Sequence, residues 1–483
     1  MNHKKKFYIT SPIFYPNANL HIGHAYTMTV CDVLARYHRL MGHPTYFLTG
    51  ADENTGKVVK AAEEKGITVP KFLDGITENF KKLFADLDVS YDQFIRTGVK
   101  KQHWPGAVKL WNKLVEAGDI YKSTYEGLYC PQCEAFYTEK DLIDGTCPIH
   151  KIVPEKIKEE NYFFKLSKYT AKIKKAIESN KLHIIPETRK NEILALLDRG
   201  LDDVSFSRPI KNVPHGIPVP NDPQQVIYVW CDALVNYISA LHYGQDEELF
   251  KEFWPAQVHV IGKDILRFHA AIWPAMLMSA KLSLPENLLV HGFITSQGHK
   301  MSKSLGNVID PYELINNFGK DAVRFYFAHE IPPFDDGDLT QENFKSVYNA
   351  YLANGIGNLV SRVMKMATSY GLEQVSLATD EEILKLKEYK VYHAYFKDFE
   401  FTKAAHLVWE KITQADKKIQ ETEPFKLIKT DREKAVRIIE ELVTEIWSIA
   451  TLLKPFVPET AEKIKETIKK WQMPEAPLFA RKD

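Results

Sequence analysis

Residues 7–49, FYITSPIFYPNANLHIGHAYTMTVCDVLARYHRLMGHPTYFLT, decide the fold. Residues 7–10 are a β-branched and aromatic run that reads as a strand. From about 21 to 41 apolar residues recur at helical spacing, 45–49 reads as a second strand, and 57–65 as a second helix. Gly42 with Pro44 stops the first helix and Gly66 the next, because a helix C-terminus favours a residue free to take positive φ. Strand, helix, strand, helix is the rhythm of a parallel α/β sheet.

Working outward, strand-like runs return at 226–230, 258–261 and 288–294, so the α/β pattern resumes after an interruption at roughly 116–225. The interruption carries three of the five cysteines and the prolines 209, 214, 218, 220 and 223, the marks of an inserted module with an extended return path. From about 340 the chain turns helical. Val436, Ile439, Val443, Ile446, Ala450 and Leu453 step by three and four along a buried stripe that Pro455 and Pro458 end.

At 483 residues, 45% hydrophobic and 26% charged, the chain has room for two to four domains with sizeable cores. Lysine plus arginine (63) balances aspartate plus glutamate (63), so a nucleic-acid partner must be held by local basic surface, not by a whole-protein field. The basic start at residues 3–6 leads into Phe7-Tyr8-Ile9 and soon Pro12, too short an apolar stretch for a signal peptide or a membrane span; the expectation is a cytoplasmic protein with no membrane partner.

His21-Ile22-Gly23-His24 opens the first long helix, where unpaired backbone N–H groups and the positive helix end favour a phosphate. Two imidazoles three residues apart can add donors there, and Gly23 removes a side chain where a nucleotide must lie close. A pair of surface histidines is the plain alternative. Lys300-Met301-Ser302-Lys303-Ser304 follows the third late strand in a loop bounded by Gly298 and Gly306; two lysines on such a loop can close over a triphosphate, or simply stay solvated. Asp310-Pro311-Tyr312-Glu313 then predicts a helix start, with Asp310 as N-cap and Glu313 placed for a capping box.

Cys130-Pro131-Gln132-Cys133 and, after thirteen residues, Cys147-Pro148-Ile149-His150 make an N/S₃ ligand set with no open position, which predicts one structural zinc held by Cys130, Cys133, Cys147 and His150. A small loop-rich knuckle needs such a metal to offset its ordering entropy.

The histidine tetrad and the lysine loop in this order, with no Walker-type glycine loop, resemble the HIGH and KMSKS signatures of class I aminoacyl-tRNA synthetases, both without substitution. The segments around them resemble the methionyl-tRNA synthetase family: Ser11-Pro12-Ile13-Phe14-Tyr15-Pro16-Asn17, Gly50-Ala51-Asp52-Glu53, Tyr228-Val229-Trp230-Cys231-Asp232-Ala233-Leu234 continuing to Tyr237, and Gly262-Lys263-Asp264 continuing to Phe268-His269. The resemblance implies an α/β fold: a Rossmann-like parallel-sheet catalytic domain (1–115 and 226–294), an inserted zinc-knuckle connective domain (116–225), a linking segment with the KMSKS loop (295–340) and a C-terminal all-α bundle that binds the anticodon (341–483).

It further implies ATP with Mg²⁺, L-methionine and tRNA(Met) as partners. Catalysis would fall to His21, His24, Lys300 and Lys303, and ATP binding to these with Gly23, Lys263 and Asp264. Methionine would be bound by Ile13, Tyr15, Asp52, Trp230, Ala233, Leu234, Tyr237 and His269. Aromatic rings suit a polarizable thioether, although Trp230, Leu234 and Tyr237 also read as ordinary core at helical spacing.

Asn358 and Arg362, in Asn358-Leu359-Val360-Ser361-Arg362, would contact the anticodon. Phe425 stands where the family often has tryptophan; it keeps a face for stacking but loses the indole N–H, and it also reads as a helix-end aromatic. The family often carries a further dimerising domain after the helices, and its absence from this sequence predicts a monomer. Three rivals remain at this point. A leucyl, isoleucyl or valyl enzyme would need a longer insertion, a cysteinyl enzyme would use zinc to grip substrate, and a non-catalytic RNA-binding protein would have no use for both motifs.

Overall fold

The computed structural model of the chain describes residues 5–133, 135–137, 139–148, 151–301 and 307–483, without the side chains of 135, 136 and 300. Strands β1 (Phe7–Phe14), β2 (Thr45–Ala51), β3 (Gln93–Arg96), β7 (His183–Ile185), β12 (Val258–Gly262) and β13 (Asn287–His291) pair in parallel in the order β3-β2-β1-β12-β13-β7. Strands β4 (Ile120–Cys130), β5 (Ala135–Tyr137), β6 (Glu155–Phe164) and β8 (Val204–Ser205) form an antiparallel sheet, and β9 (Ser207–Pro209), β10 (Pro218–Val219) and β11 (Asp222–Ile227) form another. A last small sheet joins β14 (Ile294–Ser296), β15 (His299–Lys300) and β16 (Gly337–Asp338).

Side chains alternate across the parallel sheet as a pleated strand requires. Phe7, Ile9, Phe47, Val258 and Val260 join one core with the helix Ile22–Leu40 and the C-terminal helices, while Tyr8, Leu48, Ile261, Leu288 and Val290 join another with Lys100–Glu116 and Trp273–Ser279. Both faces are covered, as an all-parallel sheet demands. Gly42 (φ 72°) and Gly66 (φ 65°) follow the ends of the first two helices in the left-handed region, as their positions predicted.

Three local expectations are corrected. The run 226–230 does not resume the parallel sheet: β11 ends at Ile227 in an antiparallel sheet, and Val229–Leu234 is a helix with all six residues buried. Its aromatic and β-branched composition favours a strand, but a segment buried on every side takes its shape from packing. The run 288–294 is broken after His291, because Gly292 sits where a Cβ would stand 2.2 Å from the carbonyl oxygen of Asp335, and the chain turns there into β14, which pairs with β16. The capping box at 310 is not formed. Asp310 accepts from the N–H of Tyr312 at 2.9 Å with Pro311 at the first helical position, while Glu313 accepts from Gln341 Nε2 at 3.0 Å. Within 116–225 the chain also sends β7 back to the edge of the main sheet.

One buried cation ties the parts together. Arg324, on the helix Lys320–His329, is fully buried and lies 2.7 Å from Asp32 of the first helix, itself fully buried. The same guanidinium donates to the carbonyls of Leu87, Pro455 and Phe456 at 3.0–3.2 Å, the last two from the turn between the helices Arg432–Leu453 and Pro458–Lys470. Asp32 also accepts from Arg36 and Ser90, and these partners hold its carboxyl below the usual range against the opposing effect of burial.

Candidate active site

The strand order reverses direction between β1 and β12, and a crevice at the carboxyl ends of strands flanking such a switch point is where open α/β sheets bind ligands. β1 runs out toward His21 on one side of it; β12 runs into the short turn Lys263–Ile265 on the other.

His21 is the N-cap of the helix Ile22–Leu40, and Gly23 and His24 lie in its first turn. His21 Nδ1 accepts from the N–H of Gly23 at 3.1 Å, and His24 Nδ1 accepts from the N–H of His21 at 3.1 Å, the rings standing 3.8 Å apart. Desolvation, with His21 and His291 nearby, keeps the His24 imidazole well below the usual histidine range, so it is neutral at pH 7. With Nδ1 accepting, its proton resides on Nε2, which makes that nitrogen a donor for an incoming oxyanion. A Cβ at Gly23 would stand 3.0 Å from the His21 ring, so the glycine leaves room for that imidazole.

Lys263, beside Asp264, forms a two-pronged ion pair with Asp336 (2.6 and 2.8 Å), so it ties the turn after β12 to the segment 335–338. In that segment Asp338 accepts from the N–H of Gly298 and the hydroxyl of Thr295, both at 2.8 Å, pinning the hairpin from which the lysine loop departs. Lys300 lies in β15, not in a loop. Lys303 lies outside the described residues.

The residues expected around an amino acid fall in two buried groups that share Ile265 and Phe268 as neighbours. Tyr15 meets Trp230 edge-on with centroids 6.5 Å apart, and Trp230 stacks on Phe268 at 3.6 Å. Ala233 is buried on the same helix as Trp230, whereas Leu234 and Tyr237 belong to a second core against which Ile13 packs. Tyr237 donates to His269 Nε2 at 2.7 Å, while His269 Nδ1 donates to the carbonyl of Ile265 at 2.9 Å. Burial lowers the His269 imidazole to about 4, so it is neutral and fixed in this tautomer. Asp52 follows β2 with its N–H bonded to Phe14 at 2.9 Å, is 3% exposed, and is close enough to Tyr237 for its charge to help raise that phenol's pKa. Aromatic and aliphatic side chains are thus buried on these segments, with the Asp52 carboxylate near Tyr237.

In the insertion, the Sγ atoms of Cys130, Cys133 and Cys147 all lie within 4.8 Å of one another, Cys133 and Cys147 at 3.4 Å. Thiolates bound tetrahedrally at about 2.3 Å from zinc would stand about 3.8 Å apart, so the three fit such an ion. The Tyr137 hydroxyl donates to Cys133 Sγ at 3.2 Å. His150 lies outside the described residues.

At the helical end, Asn358 is exposed at the start of the helix Asn358–Ser369, and Arg362 stands one turn on, ion-paired with Asp416 at 2.5 Å. Phe425 is 38% exposed on the short helix Pro424–Leu427. Sequence reasoning gave no role to Asn54, His103, Asp232 or His291. Asn54 and Asp232 stand in or beside the quoted blocks, but His103 is a lone histidine on a helix with no local signal.

The family description "tRNA synthetases class I (M)" matches residues 7–152 and 139–364, and "Anticodon binding domain of methionyl tRNA ligase" matches residues 368–477. A methionine–tRNA ligase of Clostridium acetobutylicum is 45% identical over 482 residues, covering 96% of this chain and 73% of that protein. One from Thermotoga maritima is 40% identical over 471 residues, covering 95% and 74%. A solved Mycobacterium tuberculosis methionyl-tRNA synthetase in complex with methionyl-adenylate superposes with a TM-score of 0.90 at 34% identity, covering 99% of this chain and 100% of that one. The apo form from the same organism gives 0.83 at 32%, covering 100% and 99%.

Proposed function

The chain belongs to the class I methionyl-tRNA synthetases, ATP-dependent ligases that charge tRNA with methionine, and on that premise we propose how its own residues divide the work. Methionine enters the aromatic chamber with its ammonium on Asp52 and its thioether among Ile13, Tyr15, Trp230, Ala233, Leu234, Tyr237 and His269. ATP lies across the crevice, its ribose on Asp264 beside Lys263 and its phosphates at His21, Gly23 and His24, with Mg²⁺ accompanying them.

The methionine carboxylate attacks the α-phosphorus in line; a carboxylate O–P bond forms as the bond to pyrophosphate breaks. The imidazole Nε2–H donors of His21 and His24 meet charge on the pentavalent centre, and Lys300 and Lys303 neutralise the departing pyrophosphate. A ribose hydroxyl of the terminal adenosine of tRNA(Met) then attacks the adenylate carbonyl and AMP leaves, by positioning more than by a dedicated protein base. Asn358, Arg362 and Phe425 read the anticodon, which requires Arg362 to share or leave Asp416. Cys130, Cys133, Cys147 and His150 would hold one Zn²⁺, which would keep the knuckle folded and supply no chemistry to the reaction. Co-location with tRNA and ATP implies work in the cytoplasm.

The observation that carries this reading is the bond from the His21 N–H to His24 Nδ1, which leaves the proton of the neutral imidazole on Nε2 in the first turn of a helix that follows the switch-point strand β1. ATP–pyrophosphate exchange with each amino acid in turn, without tRNA, tests it. Exchange with methionine and its abolition in His24→Ala support the assignment; undiminished exchange in His24→Ala removes it.

A further inference from the structure

Behind the amino-acid chamber runs a buried hydrogen-bonded chain that the roles above leave unused. His103, in the first turn of the helix Lys100–Glu116, is fully buried, with Nε2 2.5 Å from Asp232 Oδ1 and Nδ1 2.7 Å from Ser239 Oγ. Asp232 Oδ2 accepts from Asn54 Nδ2 at 2.7 Å, and the same amide reaches the Thr97 carbonyl at 3.2 Å. The Thr97 hydroxyl accepts from the N–H of Glu53 at 2.8 Å. The close approach of the helices depends on Gly106, where a Cβ would stand 2.8 Å from both Ser239 Cβ and the Tyr243 carbonyl.

The order Ser–His–Asp imitates a nucleophilic triad, but Ser239 is buried against Gly106, so no acyl group reaches it. The arrangement instead joins three segments. Residues 52–55 carry Asp52; Val229–Leu234 carries Trp230, Ala233 and Leu234; and Asn236–Ser239 carries Tyr237. As donor to Asp232 through Nε2, His103 accepts from Ser239 at Nδ1, and Asn54 donates to Asp232 from the other side. The carboxylate is held between two donors that belong to different elements, which fixes their separation. Removing the imidazole strands a buried carboxylate oxygen and a buried hydroxyl, and the helix must shift or admit water to satisfy them.

We propose that His103 is a positioning residue that sets the distance between the ammonium-binding carboxylate of Asp52 and the wall formed by Val229–Leu234, and thereby the chamber's selectivity for the length of an unbranched side chain. This rests on the methionine-pocket roles assigned under the proposed function. It acts on methionine and not on ATP, whose assigned groups lie at the start of the helix Ile22–Leu40, in the turn Lys263–Ile265 and at Lys300 and Lys303.

The test is steady-state ATP–pyrophosphate exchange by the full chain, with KM measured separately for methionine and ATP and kcat/KM for methionine compared with norleucine and ethionine. His103→Ala is expected to raise the methionine KM about tenfold or more, to leave the ATP KM within about twofold, and to narrow the preference for methionine over ethionine. His103→Gln, whose side-chain N–H can still reach Asp232, is expected to recover most of the loss. Equal shifts in both KM values, no shift, or a glutamine variant no better than alanine overturns the proposal. If His103→Ala does not fold, Ser239→Ala carries the test: a smaller rise confined to the methionine KM supports it, and an unchanged methionine KM overturns it. Asp52→Ala separates the two levels. If it raises the methionine KM while His103→Ala does not, only the positioning role fails; if it leaves that KM unchanged, the pocket reading falls and this proposal with it.

Discussion

The crevice and the anticodon-facing helices are built on opposite terms. Toward the crevice several polar side chains are fixed by hydrogen bonds: His269 between Tyr237 and Ile265, His24 against the backbone of His21 within its own helix cap, Asp232 between His103 and Asn54. At the helical end Asn358 is exposed, Arg362 is anchored by one carboxylate, and Phe425 presents a partly open ring. Chemistry on a small substrate needs geometry fixed in advance, and burial supplies it. Side chains that read RNA must be ones that water can leave and bases can approach, and the exposure of these three fits the anticodon role proposed for them.

If that contrast is right, lesions in the crevice act on the activation step and lesions in the helices act only when tRNA is present. Lys303→Ala should lower pyrophosphate exchange by about 10²-fold or more, typical of losing an electrostatic partner of the transition state; exchange at wild-type rate would break the comparison at its strongest point.

Acid should act next. His269 has its folded pKa lowered to about 4, so below the unfolded value of about 6.5 the unfolded chain binds the extra proton and stability falls as pH drops through that window. Thermal melts should lose about 2 kcal/mol from this residue between pH 7 and 5, and His269→Gln should flatten that slope; an unchanged slope removes the assignment. Tyr237→Phe takes away the donor to His269 Nε2 and should cost about 1–2 kcal/mol in kcat/KM for methionine, with the ATP KM unmoved. The smallest effect belongs to Phe425→Ala: about 1 kcal/mol in aminoacylation of tRNA(Met), the low end of base–aromatic stacking, and none in exchange. Loss in both assays would make Phe425 a packing residue.

Legibility in the sequence followed range. The first strand, helix and second strand fall within a few residues of their predicted bounds because alternation and helical spacing are local signals with clear stops. The helical stripe read from Val436 to Leu453 is buried from Ile439 onward, with Val436 only partly buried near the helix start. Local composition misled at Val229–Leu234, where surrounding layers select a helix from residues that favour strands. It was silent on β7, whose three residues acquire meaning only by pairing with β13 about a hundred positions later. The site divides in the same way. The histidine tetrad could be read in place, whereas His103, Asp232 and Asn54 lie 129 and 178 positions apart along their two contacts, and only the folded chain makes them neighbours.

Arg324 gives this architecture a consequence for how such a chain can be rearranged. Its charge answers Asp32 inside the catalytic half, yet two of its carbonyl partners come from the turn after the helix Arg432–Leu453. A buried ion pair that loses one member typically costs about 3–5 kcal/mol. A graft that swapped the helical end for another would also have to reproduce the carbonyls of Pro455 and Phe456. The RNA-reading end is therefore not a detachable cassette, since the first catalytic helix depends on it for part of its own electrostatic balance.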